Sequence, residues 1–129
     1  MCRRFATNNS KDGQQMTKKA YLIIKEEVPM FRKSLEEVLH DENPKIIIDL
    51  RKKEDYRKET IPGAVNIFHG ELKRHLSYLP KNKRIYLLCY TGETSDEFAE
   101  ALSKKGYDVY SVEGGYHAYL RFKLKRMIH

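Results

Sequence analysis

A chain of 129 residues has room for one domain whose core needs neither disulfide nor metal staples. The two cysteines, Cys2 and Cys89, stand far apart, so there is no disulfide framework, and a reducing, cytoplasmic setting is expected. The net charge is +7, but residues 1–20 carry +4 and residues 121–129 another +4, which leaves −1 for the body. A basic tail and the outer face of a last helix account for that distribution, and no basic motif interleaved with aromatics points to nucleic acid. The apolar runs are too short for a transmembrane helix, and the arginine-bearing start lacks the apolar stretch of a secretory signal, so no membrane partner is expected.

Residues 1–20 are polar and turn-rich and read as a flexible extension, with residues 21–129 forming the domain. Tyr21–Ile24 suits an edge strand. Pro29 then opens a predicted helix with Phe31, Leu35, Val38 and Leu39 along one face. Ile46, Ile47 and Ile48 form a run apolar on both faces, as expected of a parallel strand covered on each side. The charged stretch from Lys52 to Glu59 suits a short exposed helix. Ile61–Ile67 reads as a turn at Pro62 and Gly63 followed by a short strand.

Leu72, Leu76 and Leu79 predict a helix stopped by Pro80, and Ile85–Leu88 a second buried strand. The next helix is expected to bury Phe98, Ala101 and Leu102 and to end at Gly106 in a left-handed cap. Val109–Val112 is the last strand. After Gly114 and Gly115, the residues Tyr116, Leu120, Leu124 and Met127 recur at helical spacing. Strands alternating with helices specify an α/β layer fold around a mostly parallel sheet.

Cys89 follows one of the buried strands, where parallel sheets place their ligand sites, and Thr94-Ser95-Asp96-Glu97 has the pattern of a capping box opening the next helix. A cysteine here can be a small core residue. It can equally be a thiol facing a helix N-terminus and unspent backbone N–H groups, a setting that favours thiolate and anion binding.

The chain resembles the single-domain rhodaneses, which are thiosulfate sulfurtransferases, from about Pro29 to Leu120. The resemblance is carried by Ile-Asp-Leu-Arg at 48–51, Ile-Pro-Gly-Ala-Val-Asn-Ile at 61–67, Cys-Tyr-Thr-Gly-Glu-Thr-Ser at 89–95, and Gly-Tyr-Asp-Val with Glu-Gly-Gly between 106 and 115. It implies a three-layer fold with a central, mostly parallel, five-stranded sheet. It also implies a double displacement in which Cys89 takes sulfane sulfur from thiosulfate or a persulfide donor and passes it to cyanide or a thiol. The backbone of Tyr90, Thr91, Gly92, Glu93, Thr94 and Ser95 would cradle the negative persulfide, with no metal or organic cofactor. A sulfur-relay protein is a further possible partner.

Some positions depart from the family pattern. Thr94 and Ser95 offer hydroxyls where many relatives place Arg, Thr60 stands where His is frequent, and Tyr119 where Trp is frequent. Asp49 and Arg51 match a family motif, but a structural role is expected, with Asp49 accepting N–H bonds from the next turn. Tyr90 reads evenly as a lid or a packing residue, and His117 as an exposed turn histidine. Glu93 sets a carboxylate in an anion cradle, which disfavours doubly charged thiosulfate relative to less charged donors.

Three rival functions share parts of this pattern. A cysteine phosphatase needs a longer loop closing on Arg, and Ser95 occupies the sixth position after Cys89. A non-catalytic binding module would have no use for Cys89 and Gly92. A persulfide carrier in a sulfur relay shares the chemistry and differs only in its partner.

Overall fold

The computed structural model describes residues 31–128, and the expectations placed on the N-terminal extension, Cys2 and the Tyr21–Ile24 strand lie outside them. Five strands form one sheet in the order β1-β5-β4-β2-β3: β1 Arg32–Lys33, β2 Lys45–Asp49, β3 Val65–Asn66, β4 Arg84–Leu88 and β5 Val109–Val112. Every pairing is parallel. The helices are α1 Leu35–His40, α2 Lys53–Lys58, α3 Glu93–Ser103 and α4 Gly115–Ile128, with a 3₁₀ segment over His69–Tyr78.

The central strands are apolar at successive positions because both faces of the sheet are covered. Ile47, Tyr86, Leu88 and Val112 pack with Leu35 and Val38 of α1 and Tyr119 of α4. Ile48, Ile85, Leu87 and Val109 pack on the opposite face with Leu72, Leu79 and the α3 residues Ala99 and Leu102. Alternation along each strand thus feeds two cores, giving the three-layer α/β fold.

Several local expectations are corrected. No helix runs through Phe31: Arg32 and Lys33 pair with Ser111 and Val112, and Ser34 caps α1 through a capping box with Glu37. Ala101 is exposed, and α3 buries Ser95, Ala99 and Leu102 instead. In α4 the buried side chain is Tyr119, while Leu124 and Met127 are exposed at 57% and 79%. The leucines at 72, 76 and 79 belong to the 3₁₀ segment and its cap rather than to an α-helix. The end of α3 is as expected: Gly106 has φ +95°, and the N–H groups of Gly106 and Tyr107 reach back to the carbonyls of Ser103 and Leu102. No described helix is long and apolar enough to cross a membrane.

Candidate active site

Strand β4 delivers Cys89 to the carboxyl edge of the sheet, where two backbone N–H groups and one hydroxyl oxygen surround its sulfur. Gly92 N–H donates to Sγ at 3.0 Å and Ser95 N–H at 3.4 Å, while Ser95 Oγ lies 3.3 Å from Sγ. The thiol is 5% exposed. Burial alone suits a core cysteine, but two converging backbone donors suit a sulfur that carries negative charge.

The expected capping box at Thr94–Glu97 is absent, because α3 starts earlier. Gly92 is the N-cap, with φ +105° and no side-chain cap, and its carbonyl accepts the Asp96 N–H at 2.9 Å. A left-handed residue is what turns the Gly92 N–H back toward the sulfur, and a Cβ there would come within 3.3 Å of the Gly114 nitrogen. The early start puts Thr94 in the first turn and rotates Ser95 inward, where it is fully buried. The N–H groups of Glu93 and Thr94 precede the first helical bond, so the helix itself does not use them. Glu93 and Thr91 have exposed side chains.

A second element fixes the loop from behind. Tyr116 N–H donates to Cys89 O at 2.7 Å and His117 N–H to Tyr90 O at 3.2 Å, so the start of α4 clamps the first two loop carbonyls. The His117 side chain itself is exposed. This approach requires Gly115, which has φ +59°: a Cβ would lie 2.5 Å from Cys89 O and 2.8 Å from Tyr90 O.

Asp49 and Arg51 are buried and bonded to each other. Arg51 donates to Asp49 Oδ1 from its backbone at 3.0 Å and to Oδ2 from Nη2 at 2.9 Å, and Thr60 Oγ1 donates to the same Oδ2 at 2.7 Å. Thr60, in the place where relatives often carry His, is thus a third member of this cluster. Arg51 Nη2 also donates to Glu59 O at 2.5 Å, and its guanidinium lies 3.9 Å from the Tyr116 ring and 5.6 Å from that of Tyr90. Burial opposes the Arg51 charge, but Asp49 outweighs it and holds the guanidinium above its ordinary pKa. Arg51 is therefore committed within the fold, and the Cys89 loop closes on a serine hydroxyl rather than on a guanidinium.

Tyr90 is 41% exposed yet anchored, since its hydroxyl donates to Asp55 of α2 while its ring lies by Arg51. The bond to Asp55, aided by burial, raises the phenol above its usual pKa. Asp55, Gly115, Tyr116 and Ser111 all touch this assembly, although their residue types in sequence do not mark them as part of it. Only Glu-Gly-Gly gave a signal, as part of a motif. The others are ordinary residues of a helix or strand until the topology brings them together.

The rhodanese-like domain family matches residues 31–121. A Bacillus subtilis (strain 168) protein named as a sulfur carrier is 38% identical over 61 residues, which cover 47% of this chain and 33% of that protein. A tRNA sulfurtransferase of Desulfurococcus amylolyticus is 33% identical over 94 residues, covering 73% of this chain and 18% of that one. The chain thus spans a third or less of the length of these curated relatives. Among solved structures, a rhodanese-like domain protein from Staphylococcus aureus is 33% identical with a TM-score of 0.59, covering 67% of this chain and 90% of that one. With a family match over most of its length, the described fold and the motifs quoted above, the chain belongs to the rhodanese-like domain family.

Proposed function

We propose that the chain transfers sulfane sulfur through a persulfide on Cys89. In the first displacement the Cys89 thiolate attacks the outer sulfur of thiosulfate or the terminal sulfur of a persulfide. The donor S–S bond breaks, and its electron pair leaves with sulfite or with the donor thiolate. The charge then rests on the outer sulfur of Cys89–S–S⁻. In the second displacement cyanide or an acceptor thiolate attacks that sulfur, forming thiocyanate or a new persulfide and restoring the Cys89 thiolate. Both steps are polar displacements, so the chemistry calls for no redox cofactor.

The observation that supports this reading best is the pair of N–H bonds from Gly92 and Ser95 onto a sulfur at the start of α3. They would meet negative charge on the sulfur during attack, and the backbone N–H groups of the Tyr90–Ser95 loop that α3 leaves unused would stabilise the persulfide. Asp49 and Arg51 hold the adjoining turn and take no part in the displacement. A phosphatase lacks support, because a phosphoryl group would meet no free guanidinium at the loop's end.

The relatives favour a protein-borne sulfur donor or acceptor, since the matched region is a fraction of larger proteins named for sulfur carriage or tRNA sulfur transfer. A relay role differs from small-molecule transfer only in the acceptor. Cys89→Ser keeps the side-chain volume nearly unchanged but lacks a nucleophile accessible near neutral pH, so it should form no thiocyanate from thiosulfate and cyanide while remaining folded. Undiminished thiocyanate production by that variant would overturn the proposal.

A further inference from the structure

Ser111 lies at the middle of β5, fully buried, and plays no part in the displacement described above. Its backbone N–H bonds the carbonyl of Phe31, and its hydroxyl stands 2.6 Å from Ser95 Oγ. Ser95 is also fully buried, and its hydroxyl has two further neighbours, Gly92 O at 3.1 Å and Cys89 Sγ at 3.3 Å. Among the described residues, Ser95 Oγ is the one side-chain partner of Ser111 Oγ.

These four groups have unequal hydrogen-bonding capacities. A serine hydroxyl has one proton and two lone pairs, and the Gly92 carbonyl only accepts. The buried Ser111 proton must find an acceptor, and Ser95 Oγ is the one in reach. That bond leaves Ser95 free to send its single proton either to Gly92 O or to the sulfur. When Cys89 is a thiol, S–H donates to Ser95 Oγ and the Ser95 proton points to Gly92 O. When Cys89 is a thiolate, the Ser95 proton turns to Sγ, and Ser95 Oγ still accepts from Ser111. When the persulfide forms and the charge moves to the outer sulfur, the Ser95 proton can return to Gly92 O.

We propose that Ser111 is a positioning residue that acts through Ser95, holding the Ser95 hydroxyl as an acceptor from below so that its proton can follow the charge on Cys89 sulfur. The row polarises in one direction, from Ser111 to Ser95 to Sγ, and each bond strengthens the next. The consequence for turnover rests on the sulfur-transfer reading; the effect on the thiol does not. Charged side chains on the surrounding elements are engaged elsewhere or exposed: Asp96 of α3 pairs with Arg32 of β1 at 2.5 Å, and Glu93 and Glu113 are exposed. Arg51 is held by Asp49.

The test compares Ser111→Ala, Ser111→Thr and Ser111→Val in the full chain, with thermal unfolding recorded for each. Thr and Val impose the same shape and differ in the hydroxyl, so their contrast isolates the hydrogen bond from the fit, and Ala carries the test if the larger residues do not fold. Alkylation of Cys89 by iodoacetamide is followed across pH by peptide mass, which separates Cys89 from Cys2. Val and Ala should slow alkylation at neutral pH by about threefold and move its profile about half a unit toward alkaline pH, with Thr staying near wild type. In a Ser95→Ala background, Ser111→Ala should add nothing. A profile in Ala matching wild type, or in Val matching Thr, would overturn the inference, as would an undiminished Ser111→Ala effect without the Ser95 hydroxyl. Wild type that never gains sulfur on Cys89 would instead sink the functional proposal and leave the alkylation contrast standing.

Discussion

Replacing Gly115 by alanine probes the contact that holds the cysteine loop in place. The new Cβ would lie 2.5 Å from Cys89 O and 2.8 Å from both the carbon and the oxygen of the Tyr90 carbonyl. An ordinary carbon–oxygen contact is about 3.3 Å, so α4 and the loop must separate by most of an ångström. That separation would break or stretch the Tyr116 N–H bond to Cys89 O and the His117 N–H bond to Tyr90 O, now 2.7 and 3.2 Å. Leaving a buried backbone group unpaired costs about 1–3 kcal/mol, and alanine at a positive φ adds about 1 kcal/mol. A destabilisation of about 2–4 kcal/mol is expected, lowering the midpoint of thermal unfolding by about 10 °C in a domain of this size. Displacing the sulfur by a comparable distance should cost about a hundredfold in sulfur transfer. Gly63→Ala is the control, because Gly63 has φ +89° and nothing within 4 Å of its would-be Cβ. It carries the backbone cost alone. Urea unfolding of the two variants measures the difference. If Gly115→Ala is no less stable than Gly63→Ala, the clamp has been misjudged.

The Glu93 carboxylate sits in the first turn of α3 with its side chain exposed. At about 6 Å in water-like surroundings, each unit of donor charge is repelled by about 0.7 kcal/mol, about 1.4 kcal/mol for the two charges of thiosulfate, so Glu93→Gln should lower the KM for thiosulfate by up to about tenfold at low salt, less at high salt, and leave an uncharged donor unaffected; unchanged low-salt kinetics would show that Glu93 has no influence on donor choice. Asp41 accepts from Tyr86 Oη at 2.5 Å, from Asn43 and from Arg84, and these bonds, the Tyr86 one foremost, hold its carboxyl well below the usual range. A carboxyl depressed in the folded state stabilises the protein above its unfolded pKa and loses that contribution as the pH falls. The stability gap between wild type and Asp41→Asn should therefore be full at pH 6 and shrink below about pH 4. A gap that stays constant to pH 3, measured by urea unfolding, would contradict this.

The parts of the fold legible in the sequence were those carried by several adjacent residues. Ile46–Ile48 and Ile85–Leu88 announce strands covered on both faces, and strands β2 and β4 lie there. Strand β1 was illegible because it is two charged residues, Arg32 and Lys33, defined only by pairing across to β5. Periodicity in α4 named residues that share a face without saying how far the surface beneath extends, so Leu124 and Met127 are exposed while Tyr119 is buried. Near the site, the loop from Cys89 to Ser95 and its coupling to a helix N-terminus could be read from residue types. The start of that helix could not, because the left-handed turn at Gly92 competes with the capping pattern at Thr94. Contacts made across the topology left no trace in sequence, such as Ser111 beneath Ser95 or Tyr116 over Arg51.

Whether Cys89 carries transferable sulfur is tested most directly by intact mass. Incubation with thiosulfate should add the mass of one sulfur to the chain, localised by peptide mass to Cys89, and dithiothreitol should remove it. Cys89→Ser should gain none. A wild-type chain whose mass is unchanged by thiosulfate and by a persulfide donor, or one that gains sulfur equally well without Cys89, would contradict the assignment.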